Sequence, residues 1–462
     1  MKGYLTVFLA MTLSLLTGFI LLLTGLAIRN GEKVRLECAA DIGMNAVLSE
    51  FHIALFERYG LIYVDASYLN KTPSISNVEE RLKFYVEENT SQILSGKNAP
   101  WGRLTSVKAV ITSFETAAEQ AGASMRNQAV CYMQDTGISG PEREVFSQMD
   151  EILFLEGCNP VGEWGNLMEQ LSAMELPKVL NEKGNPEEVP LSNPADWAYG
   201  LTQNDIFYLG EINMQSVSPA HIFLDDYISH RQIKNESTGS RKYEKDEELF
   251  LSYLFDKLGC MKNTREGSLL NCQLEYLVGG NDSDFENVKV VAEKLFRWRF
   301  ADNISCALAD GDLRAQAAAA AQNLKVVQLK KAFQEPVAES ILYACAFLES
   351  IGDLKVIYGG GTIPVRKTGH QMSVEHLLNG GLYTVSSRQG FTYEQYLAAM
   401  ILLMEESEVN LRTMDIMEMD LRFQDGNKNF AMDWCVERYE AEIYARGSYG
   451  SNYCIKRKYG YF

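Results

Sequence analysis

The sequence carries none of the short motifs that identify the common classes of enzyme. It has no GxSxG nucleophile elbow, no HExxH zinc motif, no Walker phosphate loop, no GxGxxG dinucleotide fingerprint and no EF-hand loop. Histidine is scarce, and the spacing of the histidines does not suit a metal site: His52, His221, His230, His370 and His376. We therefore predict no catalytic, cofactor-binding or metal-binding residue, and we expect a non-enzymatic protein.

Positive charge is also scarce. The chain has 43 Lys and Arg residues against 61 Asp and Glu residues, so its formal net charge is -18. Nucleic-acid binding depends on clustered basic side chains that neutralise phosphates, so no nucleic-acid partner is expected. The pairs Asp225 with Asp226 and Asp415 with Glu418 could serve acid–base catalysis, but acidic residues are so abundant that a solvated surface is the better interpretation.

The nine cysteines are scattered and have no CxxC spacing, which argues against a zinc site. In an extracytoplasmic protein some could be bridged, and Cys260 with Cys272 is the nearest pair. An odd number of cysteines over so long a chain does not describe a disulfide scaffold. We expect most of them to be buried as small apolar side chains.

One long apolar run stands out at the start of the chain. From Gly3 to Ile28 there are 26 uncharged residues, of which 14 are Leu, Ile, Val or Phe. A helix of this length is long enough to cross the roughly 30 Å of bilayer hydrocarbon. We predict a transmembrane anchor over residues 1–28 in the cell membrane. A cleavable signal peptide is the alternative, because Gly25-Leu26-Ala27 resembles a cleavage site, with the cut after Ala27.

Small residues form a stripe along this predicted helix. Ala10, Ser14, Gly18 and Gly25 lie on one side, at i, i+4, i+8 and i+15. Small side chains let helix backbones approach closely in lipid, where apolar faces gain little by meeting one another. We predict that the stripe packs against another membrane helix, with ordinary membrane-helix composition as the equal alternative.

The pattern after the membrane anchor predicts a stem helix followed by a globular head. Apolar residues recur every three or four positions after Asn30, which indicates an amphipathic helix over residues 29–65 that ends near Gly60. His52 in this helix is interpreted as a packing or surface residue. Residues 66–462 are predicted to form an extracytoplasmic α+β head of mixed helices and antiparallel strands.

Several segments of the head have a legible pattern. We predict a strand over 104–116, a helix over 117–134, a helix capped by Ser283 or Asp284, a buried helix over 336–352 and a mobile loop near 235–248.

The end of the chain predicts a β-hairpin near 436–459. With a turn at 447–451, a single strand register places complementary residues opposite each other on both faces of the hairpin. It pairs opposite charges on one face and like apolar side chains on the other: Glu442 with Lys456, Glu440 with Lys458, Ile443 with Ile455, and Tyr439 with Tyr459.

Four stretches together resemble a known family. They are GYLTVFLAMTLSLL at the start, LFERYGLIYVD at 55–65, LEYLVGGNDSDFENVKVVAEKLFRWRFADN at 274–303, and the region from AFLESIGDLKVIYGGGTIPVRKTG to FTYEQYLAAMILLMEESEVNLRTMDIMEMDLR at 346–422. The chain resembles an uncharacterised membrane-anchored family of Gram-positive bacteria that is distantly similar to the TadE and TadG minor pseudopilins of tight-adherence (Flp-type) pilus loci.

The resemblance implies a non-enzymatic structural or assembly component of a pilus or a related envelope secretion apparatus. Its expected partners are the lipid bilayer and other membrane or pilus-assembly proteins, contacted through the membrane helix and the head, and the pilin-like layout places the amino terminus in the cytoplasm. Pilins are processed after a glycine, which here would be Gly3, and carry Glu five residues later, where this chain has Phe8. The alternatives are a membrane-tethered binding or adhesion module and, third, a secreted hydrolase.

Overall fold

The computed structural model describes residues 2–69, 71–92, 104–136, 142–182, 184–231, 244–381, 383 and 385–461. The chain divides into two compact units. Unit 1 contains Met1–Thr136, Asp225–Lys242 and Glu406–Phe462, and unit 2 contains Gly137–Leu224 and Tyr243–Glu405. Helices and antiparallel strands occur together, which confirms the α+β fold class.

Within the described residues the α-helices are, in chain order, α1 (Lys2–Leu48), α2 (Ile53–Tyr59), α3 (Ile75–Gln92), α4 (Glu119–Thr136), α5 (Glu142–Phe146), α6 (Met149–Glu156), α7 (Pro160–Ala173), α8 (Asp196–Gly200), α9 (Ile206–Gly210), α10 (Glu244–Lys257), α11 (Gln273–Gly279), α12 (Asp284–Ala309), α13 (Gly311–Gln322), α14 (Lys325–Leu329), α15 (Gln334–Tyr358), α16 (Val374–Leu378), α17 (Tyr393–Leu402) and α18 (Glu406–Phe423). The strands are β1 (Val64–Asp65), β2 (Thr105–Thr116), β3 (Lys178–Leu180), β4 (Pro186–Glu188), β5 (Cys435–Arg446) and β6 (Asn452–Gly460).

The stem differs from its prediction as a single helix over 29–65. The first helix runs from the apolar segment without interruption to Leu48, and the chain then leaves the helix. His52 has extended backbone (φ -70°, ψ 107°) and caps α2, because its ring Nδ1 accepts a hydrogen bond from the backbone N–H of Leu55. The second helix ends at Gly60, whose φ of 72° suits glycine. The helical spacing continues across the cap, which is why the break is not visible in the sequence.

Strand β5 is the centre of the sheet in unit 1. It pairs antiparallel with β2 along one edge, and with β1 and then β6 along the other. Strand β2 matches the strand predicted over 104–116.

The hairpin of β5 and β6 has the register that the sequence predicts. Glu442 pairs with Lys456 and Ile443 with Ile455, and the other two predicted pairs are also present. The turn between the strands covers residues 447–451.

The core of unit 1 lies between the second half of α1, helix α3 and this sheet. Apolar side chains from each element are fully buried there: Leu36, Ala40 and Met44 of α1, Val78, Leu82 and Val86 of α3, and Val436, Ala441 and Ile443 of β5. The stem is therefore part of the core of unit 1.

Unit 2 is built around two long helices, α12 and α15, which pack against each other. The buried helix predicted over 336–352 lies inside α15. Ser283 occupies the N-cap position of α12, but its side chain makes no capping hydrogen bond. The carboxylate of Asp284 accepts hydrogen bonds from the backbone N–H groups of Ser218 and Asn271. In the loop predicted near 235–248, residues 235–243 lie outside the described residues, and residues 244–248 begin α10.

Candidate functional site

The first half of α1 is an exposed apolar surface. Among the described residues, one helix, Gly3–Leu48, is long and apolar enough to cross a membrane; its most apolar window has a mean hydropathy of 2.3 and is 0% buried. The serine and threonine hydroxyl groups within the run donate to backbone carbonyls about one turn earlier, as from Thr17 to Leu13 at 2.9 Å, so these hydroxyls have hydrogen-bond partners in the absence of water. This surface fits a hydrocarbon environment.

The predicted packing stripe lies on this exposed surface. Ala10, Ser14 and Gly18 are exposed, and Gly25 is half-buried. A methyl group added at Gly18 or at Gly25 would meet no atom within 4 Å. The stripe therefore has open space beside it, and its contact with a second helix stays a prediction. Gly3 and Ala27, the two candidate processing positions, also lie within α1 and are exposed.

The point where α1 leaves the apolar run is fixed to the hairpin turn by Glu32. This side chain is 1% exposed. Its carboxylate accepts one hydrogen bond from the backbone N–H of Ser448 and one from the hydroxyl of Tyr453, both at 2.8 Å. Burial alone would raise the pKa of Glu32, but these hydrogen bonds outweigh burial and place the pKa below its ordinary value.

The hairpin continues along the stem from this junction. Arg457 Nε lies 2.8 Å from Asp41 Oδ1, and the hydroxyl of Tyr461 donates to the carbonyl of Leu48. At the other end the hydroxyl oxygen of Tyr453, which donates to Glu32, also lies 3.2 Å from the carbonyl oxygen of Arg29. The carbonyls of Arg29 and Leu48 are separated by roughly 28 Å of helix, and Tyr453 and Tyr461 by roughly 26 Å of strand, so helix and strand run side by side.

Unit 2 contains a cleft of about 690 Å³. Both apolar and charged side chains line it. The lining residues used below are the buried Ile206, Phe296 and Phe347 and the more exposed Asp205, Lys289, Glu293, Lys294 and Arg297.

The basic side chains of the cleft already have acidic neighbours. Lys289 Nζ lies 3.9 Å from Asp205 Oδ2, while Lys294 Nζ and Arg297 Nη2 lie 3.3 Å and 2.9 Å from the oxygens of Glu156. Burial raises the pKa of Glu156, but the hydrogen bond from Trp298 and the two cations lower it by more. Asp205 also caps α9, since it accepts from the N–H of Phe207. The cleft can therefore hold a small polar molecule, but its charges are balanced and its carboxylate Asp205 has a structural task.

A cluster of fully buried charges lies elsewhere in unit 2. Lys367 Nζ lies 2.9 Å from Glu349 and 2.7 Å from Asp353, and Arg299 lies 3.0 Å from Asp353 and 2.7 Å from Asp302. Arg299 also donates to the carbonyls of Pro364 and Val365. Every charge of the cluster has a partner of opposite sign. We interpret the cluster as structural, because it holds the segment that follows α15 against helices α12 and α15.

Glu275 is a buried carboxyl group that forms no ion pair with a basic side chain among the residues that the structure describes. One oxygen accepts from the N–H of Met261 and the hydroxyl of Tyr393, and the other is buried without a hydrogen-bond partner among the described residues. Burial raises the pKa of Glu275 to about 7.

The interpretation of Asp415 and Glu418 as a solvated face is wrong. Both are 0% exposed. Asp415 accepts from the N–H of Ser229, and Glu418 accepts from Arg231 and from the N–H of Met432. These partners are distant in sequence, so the local residue pattern does not predict the hydrogen bonds. Asp225 and Asp226 are exposed, as that interpretation requires.

The described residues hold no group of three His, Cys, Asp or Glu side chains suited to a metal ion. All nine cysteines fall within the described part of the chain and have free thiols, including Cys260 and Cys272. Four of the nine are buried, so the expectation that most are buried is wrong. Three of the cysteines are exposed: Cys38, Cys131 and Cys454.

The apolar helix is visible in the sequence, whereas the features that depend on tertiary contact are not. The cleft combines residues from α7, α9, α12 and α15, and the buried charges pair residues far apart in the chain. The one local signal was the row Lys289, Glu293 and Arg297, spaced by four residues along one face of α12.

These features describe an α+β protein with an exposed helix apolar enough to span a membrane. Residues 184–447, more than half of the chain, match a family of unknown function, DUF5702, and the chain belongs to this family. Comparison with curated proteins and with solved structures gave no match. The family match does not link the chain to the TadE and TadG pseudopilins, so that resemblance remains a prediction.

Proposed function

We propose that the protein is a single-pass membrane protein with both units outside the cytoplasm, and that it is a structural or assembly component, similar to a minor pseudopilin, of a tight-adherence (Flp-type) pilus or a related secretion apparatus. The observation that carries the proposal is α1. One unbroken helix is exposed and apolar in its first half and buried in the core of unit 1 in its second half.

A continuous helix favours an assembly role over a simple tether. Gly/Ser-rich linkers let a domain move freely, whereas α1 joins the membrane to unit 1 with no linker between them. The bonds from Glu32 and Asp41 to the hairpin reinforce this connection. Forces or contacts at the membrane helix would therefore be transmitted directly to unit 1.

The stripe of Ala10, Ser14, Gly18 and Gly25 is proposed as the contact with a partner helix in the membrane. Phe8 occupies the position where pilins carry Glu. We therefore propose a role in initiating or assembling a filament rather than forming its body.

The test is genetic deletion followed by complementation and electron microscopy of surface filaments. Deletion should abolish filaments and the wild-type chain should restore them. The double variant Ser14→Leu with Gly18→Leu should fail to restore them, because the added side chains separate the packed helices. Thr12→Leu is the matched control, since Thr12 lies on the opposite face of α1. Filaments that are unchanged by deletion would contradict the proposal.

The cleft of unit 2 favours a second candidate, a membrane-tethered binding or adhesion module unrelated to pili. Its buried apolar side chains and its charged side chains together suit a small ligand with polar groups. Unchanged filaments together with lost attachment of the deletion strain would favour this candidate.

A further inference from the structure

The hairpin turn lies at the level where α1 leaves its apolar run. The run ends at Ile28, and Arg29 is the first charged residue after it. The hydroxyl of Tyr453 and the backbone N–H of Ser448 donate to Glu32, and the Tyr453 hydroxyl lies 3.2 Å from the carbonyl oxygen of Arg29. Glu32 is only four residues beyond Ile28, which is roughly 6 Å along a helix.

The covered face of α1 begins at the end of the apolar run. Ile28 is half-buried and lies four residues before Glu32 on the same face of the helix, whereas Gly25 has open space beside it. Leu26 and Ala27, on other faces, are exposed. The hairpin turn therefore lies beside the first turn of α1 after the apolar run.

The exposed residues at this end have the chemistry of a membrane interface. Tyr449 is 75% exposed at the tip of the turn, and Arg446 precedes the turn and is exposed. Arg29 and Lys33 are exposed on the adjacent turns of α1. Tyrosine is enriched at the headgroup level of bilayers, and basic side chains are attracted to anionic lipids.

We propose that the turn between β5 and β6 is a second membrane contact, with the Tyr449 ring in the headgroup layer and Arg446 beside anionic phospholipid headgroups. This inference rests on the proposed membrane anchor. The contact would fix the tilt of unit 1 on the bilayer, because the span and the turn touch the membrane at two points on unit 1.

The test is photocrosslinking of the full chain in lipid vesicles, with p-benzoylphenylalanine in place of one residue at a time. Position 449 tests the turn and position 19, in the apolar run, tests the anchor. Position 423 is the control, because Phe423 is 58% exposed and belongs to unit 1. Arg422 beside it donates to the carbonyl of Phe430, near the end of β5 that is farthest from the turn.

We expect lipid adducts at positions 19 and 449 and none at 423. In vesicles that contain phosphatidylglycerol, Arg446→Gln should lower the yield at 449 by up to about fivefold, the effect of one basic side chain near an anionic surface. In vesicles of phosphatidylcholine alone it should have no effect. Adducts at 19 without adducts at 449 would overturn this inference and leave the anchor standing. Absence of adducts at 19 would overturn the anchor itself, and equal adducts at 449 and 423 would show that the turn has no specific contact.

Discussion

At the scale of single residues, Gly447 has the least room for a side chain at the stem junction. A Cβ there would lie 2.3 Å from Glu32 Oε2 and 2.6 Å from the Tyr453 ring. Its φ of -93° and ψ of -172° suit any residue, so the steric clash alone decides the outcome.

We expect Gly447→Ala to lower the free energy of unfolding by roughly 1–3 kcal/mol, measured by thermal unfolding of the full chain in detergent. Gly311→Ala is the matched control, because a Cβ at Gly311 meets no atom within 4 Å. Equal stability of Gly447→Ala and the wild type would show that the junction is looser than described.

Lys367 lies in the buried charge cluster. Removal of its charge leaves carboxylates in the protein interior with less compensating positive charge. Lys367→Met should lower the free energy of unfolding by about 3–5 kcal/mol, because Glu349 loses the cation beside it and Asp353 keeps only Arg299. Lys178→Met removes an exposed pair, with Lys178 and Glu188 54% and 59% exposed, and should cost about 1 kcal/mol or less. Urea titration of both variants checks this, and equal costs would contradict the structural role of the cluster.

Glu275 predicts a pH dependence of stability. Its pKa is raised from 4.5 to about 7 in the folded protein. Between these two values the folded chain keeps a proton that the unfolded chain has lost, so stability decreases as the pH rises through this window, by roughly 3 kcal/mol.

Glu275→Gln should remove the part of the decrease that Glu275 contributes, because glutamine stays neutral at every pH. The part from Glu418, whose pKa burial also raises to about 7, should remain. The measurement is the denaturation midpoint from pH 4.5 to pH 8. Glu187→Gln, at an exposed position, should keep the wild-type pH dependence. A decrease of the same size in the Glu275→Gln variant would assign it to another group.

At the scale of elements, α1 makes a direct prediction about membrane association. Leu16 lies near the middle of the apolar run and is 60% exposed. Leu16→Arg should weaken insertion by roughly 3–4 kcal/mol and lower the fraction of protein that resists carbonate extraction. Val34→Arg, at a 56% exposed position beyond the run, should leave that fraction unchanged. Full retention of Leu16→Arg would argue against a spanning helix.

The elements also show which parts of the fold a sequence can reveal. The hairpin register was predictable because charged and apolar pairs on two faces agree with a single alignment, as Glu442 with Lys456 and Ile443 with Ile455 do. The break between α1 and α2 was not, since it depends on a cap by His52 inside an unbroken helical spacing. The burial of Glu418 was hidden as well, because its partner Arg231 is far away in sequence.

At the scale of the whole molecule, the apolar run is the feature of the candidate site that can be predicted from the sequence, because a membrane helix is defined by local composition. The cleft and the buried charges depend on how distant segments meet, and no local pattern encodes that. The family match covers residues 184–447, which includes neither α1 nor β6. The proposed anchored assembly component is therefore supported by α1 and its attachment to the hairpin.

The most direct test of the anchored account is the intact mass and amino-terminal sequence of the protein recovered from native membranes and from the medium. We predict a chain in the membrane fraction that begins at Met1. A start at Tyr4 would indicate processing after Gly3 and incorporation into a filament. A chain that begins at Ile28 and is found in the medium would contradict the account, because α1 would then be a signal that is removed.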